Sequence, residues 1–260
     1  GHDRDQIGAR DGGTYGRIEV KLRIATRGSN LALVQTRWVG QRLREQFPDL
    51  EIEEVQVRTK GDRIQDRPLA QVGGKGLFVS EVEAVVVRGE ADFAVHSLKD
   101  VPGDVPLAEG MEILSVPVRQ DPRDVLVTVD GVGLGSLQQG AKVGTTSRRR
   151  VVQLQRQRPD LEFVPLRGNI ETRIRKLHEG RCDAIVLAAA GLARTGVLEE
   201  TPHVVLPPDI CLPAVGQGAL AIEGALADQS LRHKLLAIED ATSRIQITAE
   251  RAMLQKLEGN

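Results

Sequence analysis

The chain has 260 residues, a formal net charge of −1, 40% apolar residues and only 2% aromatic ones. That apolar fraction supports a buried core and excludes a disordered chain, and the length predicts one or two domains. Near-neutral charge with one Trp and one Tyr excludes a basic, base-stacking platform for nucleic acid.

Residues 1–16 are polar and Gly-rich, lack an apolar signal core, and read as a disordered leader. Residues 20–26 alternate as a short strand. Ser29 is a good N-cap for a helix whose face would carry Leu31, Val34, Trp38 and Leu43, with Pro48 as its stop. Residues 52–57 alternate again as a strand. The polar, Gly-rich stretch 58–76 predicts a long loop, and loops of that length are usually functional or disordered. A helix over 77–87 closes at Gly89. A strand over 91–95 runs straight into His96-Ser97-Leu98-Lys99-Asp100, and strands at 113–118 and 125–129 follow. A surface turn cluster covers 131–140. The opening order then repeats: a strand end at 142–144, a helix capped by Thr146 or Ser147 and reaching about Arg158, a strand at 161–166, a helix at 170–178 and a strand at 183–188. Pro207-Pro208 and Pro213 mark a further boundary, and an amphipathic helix spans 241–257. This alternation predicts an α/β fold with largely parallel sheets.

Each half therefore begins with a strand that ends in a hydroxyl-and-arginine loop feeding a helix: Thr26-Arg27-Gly28-Ser29, then Thr145-Thr146-Ser147-Arg148-Arg149-Arg150. Ligands of open α/β sheets bind beyond the carboxyl ends of strands, and helix N-termini favour anions. Two such loops face to face would make an anion-binding cleft. Arginines at a helix start oppose the helix dipole, so a negative group is expected to compensate Arg148 to Arg150. With Arg167, Arg173 and Arg194 they read either as a site for several carboxylates or phosphates or as a solvated basic face. Of the 35 basic residues 27 are Arg, the side chain suited to bidentate carboxylate recognition. Lys99 and Asp100 at a strand mouth could hold a charged reacting group, although an ordinary surface ion pair before Pro102 fits as well. His96 is expected to be a core histidine with no catalytic role.

Gly73-Gly74-Lys75-Gly76 lacks the spacing of a nucleotide-binding loop, and 131–135 lacks that of a dinucleotide fingerprint. No His, Cys or carboxylate grouping has metal-ligand spacing. Cys182 and Cys211 sit among apolar residues and read as buried thiols. The most apolar stretch, 184–193, falls short of the roughly 20 residues that cross a bilayer. A cytoplasmic setting without membrane contact is expected.

Several strings carry more than composition. Arg-Ile-Ala-Thr-Arg-Gly-Ser (23–29), Val-Gly-Gly-Lys-Gly-Leu-Phe (72–78), Ala-Val-His-Ser-Leu-Lys-Asp-Val-Pro (94–102), Asp-Pro-Arg-Asp (121–124), Val-Gly-Thr-Thr-Ser (143–147), Leu-Arg-Gly-Asn (166–169) and Leu-Pro-Ala-Val-Gly-Gln-Gly-Ala (212–219) occur in one order. From about Leu22 to Asn260 the chain resembles the porphobilinogen deaminase, or hydroxymethylbilane synthase, family. The resemblance implies two similar lobes of the periplasmic-binding-protein type around a cleft, plus a small third α/β domain that is truncated here. Lobe 1 would take 17–116 and 218–236, lobe 2 would take 117–217, and 237–260 would begin the third domain. It also implies a monomeric transferase that condenses four porphobilinogen units head to tail, releases ammonia each time and hydrolyses off the linear tetrapyrrole. Growth would occur on a covalent dipyrromethane cofactor.

By the same resemblance Asp100 is the catalytic aspartate. Arg27, Ser29, Thr145, Ser147, Arg149, Arg150, Arg167, Arg173 and Arg194 bind carboxylates of substrate or primer. Ser97 and Lys99 hold substrate or primer, and Lys75 and Phe78 border the site on a mobile loop. Gln71 replaces a Lys found in many members, which is expected to alter loop contacts only. The family's primer-bearing cysteine is expected just after Asn260, and Cys182 and Cys211 are not substitutes. A chain without that cysteine would be inactive. The competing readings are a non-catalytic two-lobe anion-binding protein and an arginine-based nucleic-acid module.

Overall fold

The computed structural model describes residues 20–59 and 76–257. In the first lobe the chain forms β1 (Val20–Arg27), α1 (Asn30–Gln46), β2 (Leu50–Val57), α2 (Leu77–Val87), β3 (Phe93–Ser97) and β4 (Met111–Ser115). The second lobe holds β5 (Asp124–Val127), β6 (Lys142–Gly144), α3 (Arg148–Gln157), β7 (Glu162–Val164), α4 (Ile170–His178), β8 (Ala184–Ala188), α5 (Ala189–Arg194) and β9 (His203–Leu206). The chain then returns through β10 (Leu220–Ala225) and α6 (Gln229–Leu236) and closes on α7 (Ala241–Lys256).

Strand order is β2-β1-β3-β10-β4 in one sheet and β7-β6-β8-β5-β9 in the other, the same pattern twice. Three parallel strands come first in each: β1 pairs in parallel with β2 and β3, and β6 with β7 and β8. The fourth strand then runs antiparallel to both neighbours, β10 between β3 and β4 and β5 between β8 and β9. The expectation of largely parallel sheets holds for four of the five strands in each, with one reversed strand between them. β5 and β10 are the strands that arrive from the opposite lobe, and they enter in the reverse direction.

Both faces of the first sheet are covered. Leu22 and Ile24 pack with Val39 and Leu43 of α1, while Ala25 and Ala94 pack with Val82, Val85 and Val86 of α2. Fully burying one such aliphatic side chain is worth about 1.5–3 kcal/mol. The face that α1 buries is Gln35, Thr36, Val39, Gly40 and Leu43; of the expected line Leu43 is in the core, Trp38 packs partly buried against it, and Leu31 and Val34 are only half-buried. Two causes set that face. Gly40 lets the helix approach Ile52, whose Cδ1 would lie 3.4 Å from a Cβ there, and Gln35 turns inward to reach Ser97. The apolar run 184–193 breaks at Ala188 into a strand and a short helix, and β9 is a strand that periodicity does not reveal.

Two segments cross between lobes side by side, with Gln120 N–H donating to Gly218 O at 3.1 Å. Gly216 and Gly218 both have positive φ, and a Cβ on Gly218 would fall 2.3 Å from Gln120 O. Helix α7 lies across this junction. Arg119 N–H donates to Ser243 Oγ at 2.8 Å, and Gly216 N–H to Glu250 Oε2 at 2.8 Å. No helix among the described residues is long and apolar enough to cross a membrane.

Candidate active site

Strand β3 ends at Ser97, and Leu98–Asp100 form one 3₁₀ turn. Leu98 is the anchor of that turn, buried to 1% exposure and touching the crossing segment where a Cβ on Gly216 would meet its Cδ2. Lys99 and Asp100 are consequently turned outward and exposed. Ser97 is held by Gln35, whose Nε2 donates to Ser97 Oγ at 2.9 Å. Arg27, partly buried, closes β1, and Ser29 caps α1 by accepting from Ala32 N–H at 3.4 Å. Lys75 lies outside the described residues, as does the side chain of Phe78.

The second lobe presents its own loop at the end of β6. Thr145 Oγ1 accepts from Ser147 N–H at 3.1 Å, and Ser147 caps α3 by accepting from Arg150 N–H at 3.4 Å. These hydroxyls therefore build the loop that aims the arginines. The negative group required at this helix start is Asp124, which is fully buried. Its Oδ1 accepts from Arg150 Nη2 at 2.7 Å and from Gln217 Nε2 at 2.9 Å, and its Oδ2 lies 2.7 Å from Arg149 Nη2. Burial opposes ionisation of Asp124, but the two guanidiniums outweigh it and hold the carboxyl below its ordinary range. Arg150 is fully engaged, because Nη1 also donates to Val186 O at 2.8 Å. Arg149 also donates through Nη1 to Leu212 O at 2.5 Å, but it keeps part of its surface. Asp124 was not among the candidates; the Asp-Pro-Arg-Asp string was its only trace in the sequence.

The remaining predicted arginines sit around this pair. Arg173 Nε donates to Gly168 O at 2.8 Å, and Arg194 Nη2 reaches across to Gly218 O at 2.7 Å. Burial pushes the Arg173 guanidinium down, and Arg150 and Arg167 add to the effect by like-charge repulsion. Burial alone pushes Arg194 down to about 10. In both, burial disfavours the charged form. Lys99 faces the same group: enclosure lowers its amine, Asp100 opposes that, and Arg150 and Arg149 of the other lobe lower it further. Lys99 is open to the cleft by area yet surrounded by protein, which is the signature of a side chain at a cleft floor. Asn30 Nδ2 also donates to Glu171 Oε1 at 2.6 Å, joining α1 to α4 across the lobes.

The cleft thus brings Asp100 and Lys99 of one lobe to the arginines of the other. Chemically it can hold a ligand with several carboxylates and place a free carboxylate beside it. This cation set fits the acidic side chains of a dipyrromethane. The thiols do not fit as its anchor, since both cysteines are buried and burial pushes Cys211, which lies against Asp124, up to about 11. Among the described residues no group of three or more His, Cys, Asp or Glu could hold a metal ion. A cavity of about 480 Å³ beside Gly103, Leu107, Arg251 and Gln255 is lined by none of these groups.

The fold is shared with a methionine-binding protein, MetQ (TM-score 0.51, 10% identity, 89% of this chain and 95% of that one). It is shared also with an OxyR variant of Corynebacterium glutamicum (TM-score 0.50, 13% identity, 95% and 70%). Sequence relatives are much nearer. The porphobilinogen deaminase of Geobacter sulfurreducens is 50% identical over 239 residues, 92% of this chain and 74% of that protein. That of Brevibacillus brevis is 51% identical over 239 residues, 92% and 76%, and that of Sorangium cellulosum 49% over 243 residues, 94% and 80%. Residues 22–233 match the family model for the porphobilinogen deaminase, dipyromethane cofactor binding domain. On this match over most of its length, the chain belongs to the porphobilinogen deaminase family.

Proposed function

We propose that this protein is a transferase that joins four porphobilinogen units head to tail with loss of ammonia and then releases hydroxymethylbilane by hydrolysis. One observation carries the reading: the exposed Asp100 carboxylate follows Lys99, whose amine feels Arg150 and Arg149 of the facing lobe. Each porphobilinogen brings an acetate and a propionate, groups that guanidiniums recognise. In this reading Arg149, Arg173, Arg167, Arg194 and Arg27 bind these carboxylates, while Ser97 and Lys99 orient the pyrrole at the reacting end. Ser29, Thr145 and Ser147 shape the two loops. Arg150 acts through Asp124 and Arg149 rather than as a free hand.

The chemistry asked of Asp100 follows from charge. When the carbon–nitrogen bond of the aminomethyl group breaks, its electron pair leaves with nitrogen and the pyrrole becomes cationic. A carboxylate beside the ring N–H stabilises that cation without being consumed. When bound, the dipyrromethane supplies the terminal pyrrole carbon to which the first unit is joined. Carbon–carbon bond formation displaces a ring proton, and in this reading Asp100 takes it and passes it to solvent or to the amine of the next unit. We further propose that residues 17–116 with 218–236 move as one lobe against 117–217, with 237–260 beginning a third domain. The protein would act in the cytoplasm as a monomer, without nucleic acid.

The test is incubation with porphobilinogen, with ammonia release and porphyrin absorbance after oxidation as readouts and intact mass to reveal a two-pyrrole adduct. Adduct-bearing protein that releases no ammonia would overturn the reading. A two-lobed anion receptor would bind porphobilinogen and leave it unchanged.

A further inference from the structure

We propose that Glu83 and Glu223 are positioning residues for the reaction: one proton shared between their carboxyls holds α2 against β3 and β10, and so fixes the strand end carrying Ser97, Lys99 and Asp100. The inference deepens the function proposed above and rests on it.

The three groups involved come from three elements. Glu223 lies on β10 and is fully buried, with 0% exposure. His96 lies on β3, where β10 pairs Ala221 with His96 and Glu223 with Ala94, so the two side chains are diagonal neighbours. His96 Nε2 stands 3.0 Å from Glu223 Oε2. Glu83 comes from α2, between the core residues Val82 and Val85–Val86, and its Oε1 accepts the Ala108 N–H at 2.6 Å. It interacts with Glu223 carboxyl to carboxyl.

Counted as an ionised acceptor, Glu223 lacks an aligned donor. Neither Glu223 oxygen and not His96 Nε2 has an aligned hydrogen-bond partner, although all are sealed from water. A buried polar atom left so is costly, and two carboxylates in contact, one of them fully buried, repel. A proton on the pair removes both penalties, since a protonated carboxyl donates. Burial pushes both carboxyls up to about 7. The histidine cannot supply the charge instead, because burial pushes it down to about 4. Asp100 on the 3₁₀ turn and Arg27 at the end of β1 are the other charged groups acting on His96, and they oppose one another.

Loss of the shared proton would put a second anion between α2 and the sheet. The catalytic turn follows His96 directly, so its position would loosen, whereas the arginines of the other lobe would be untouched. The expected signature is a kcat that falls on the alkaline side with little change in KM. Either E83Q or E223Q should flatten that limb, because an amide cannot become the second anion and can still donate. The direct readout is infrared. At about pH 6 ordinary carboxyls are ionised, so wild type should show a protonated-carboxyl stretch that bleaches by about pH 9 and is lost or shifted in either variant. Absence of that band in wild type overturns the proposal, as does a folded E83Q or E223Q, checked by circular dichroism, that retains the wild-type limb. If one variant does not fold, the other decides. The infrared result does not depend on turnover, so a chain that fails to convert porphobilinogen would refute the function without removing the shared proton.

Discussion

Replacing Asp124 by Asn is the sharpest test of how the arginine face is assembled. The side chain is fully buried and receives Arg150 Nε at 3.2 Å, Arg150 Nη2 at 2.7 Å, Gln217 Nε2 at 2.9 Å and Arg149 Nη2 at 2.7 Å. An amide keeps the shape, removes the charge and turns an NH₂ toward donors. Removing one partner of a buried ion pair costs about 3–5 kcal/mol. Arg149 retains 25% exposure and can turn to water, so the lower end, about 3 kcal/mol, is expected. For a chain of this size that is a fall in Tm of roughly 6–12 °C. The pH dependence has a definite sign. The native carboxyl is held below its ordinary range, so its contribution is fully present above the unfolded value near 3.8 and fades as pH falls through the native one. Thermal melts of wild type and D124N should therefore differ most at neutral pH and converge below about pH 4. A loss under about 1 kcal/mol at neutral pH would place Asp124 outside the support of this face.

Four further outcomes are expected. Asp100→Ala should lower turnover at least about a hundredfold, while melting like wild type because Asp100 is exposed; near-normal ammonia release would remove it from its role. Arg173→Ala should weaken porphobilinogen or primer binding by about 10- to 100-fold yet leave Tm unchanged or higher, because it relieves crowding with Arg150 and Arg167; parallel loss of both would argue for a structural arginine. Gly218→Ala should cost at least about 2 kcal/mol by urea denaturation, since φ is +86° and the new Cβ meets Gln120 O. Glu223→Gln should stabilise the fold with a gain that is absent near pH 4.5, grows as pH rises and levels off above about 7, because the native carboxyl is raised and wild type loses stability across that window; a gain independent of pH in Tm measurements would contradict this.

Local chemistry was readable along the chain. Ser29 and Ser147 cap the helices they precede, and Gly89 ends α2 with positive φ and an N–H to Val86 O at 2.9 Å. Each of these depends on partners within about four residues, the range over which sequence and structure are directly coupled. The clustering of arginines and the Lys99-Asp100 step were visible for the same reason. Less visible was which hydroxyls stay free for a ligand, because Ser29, Thr145 and Ser147 are first used by the backbone.

By itself, then, the sequence determined most strands and helices up to residue 188 and the final helix, their caps, and the grouping of hydroxyls and arginines at two strand ends with Lys99-Asp100 at a third. Only the tertiary structure decided the antiparallel entry of β5 and β10, the buried face of α1 and the pairing of Asp124 with groups 26 and 93 residues away. The cause is physical. Hydrogen bonds within a turn depend on neighbours in the chain, whereas strand direction and a buried charge depend on which distant segments exclude water together.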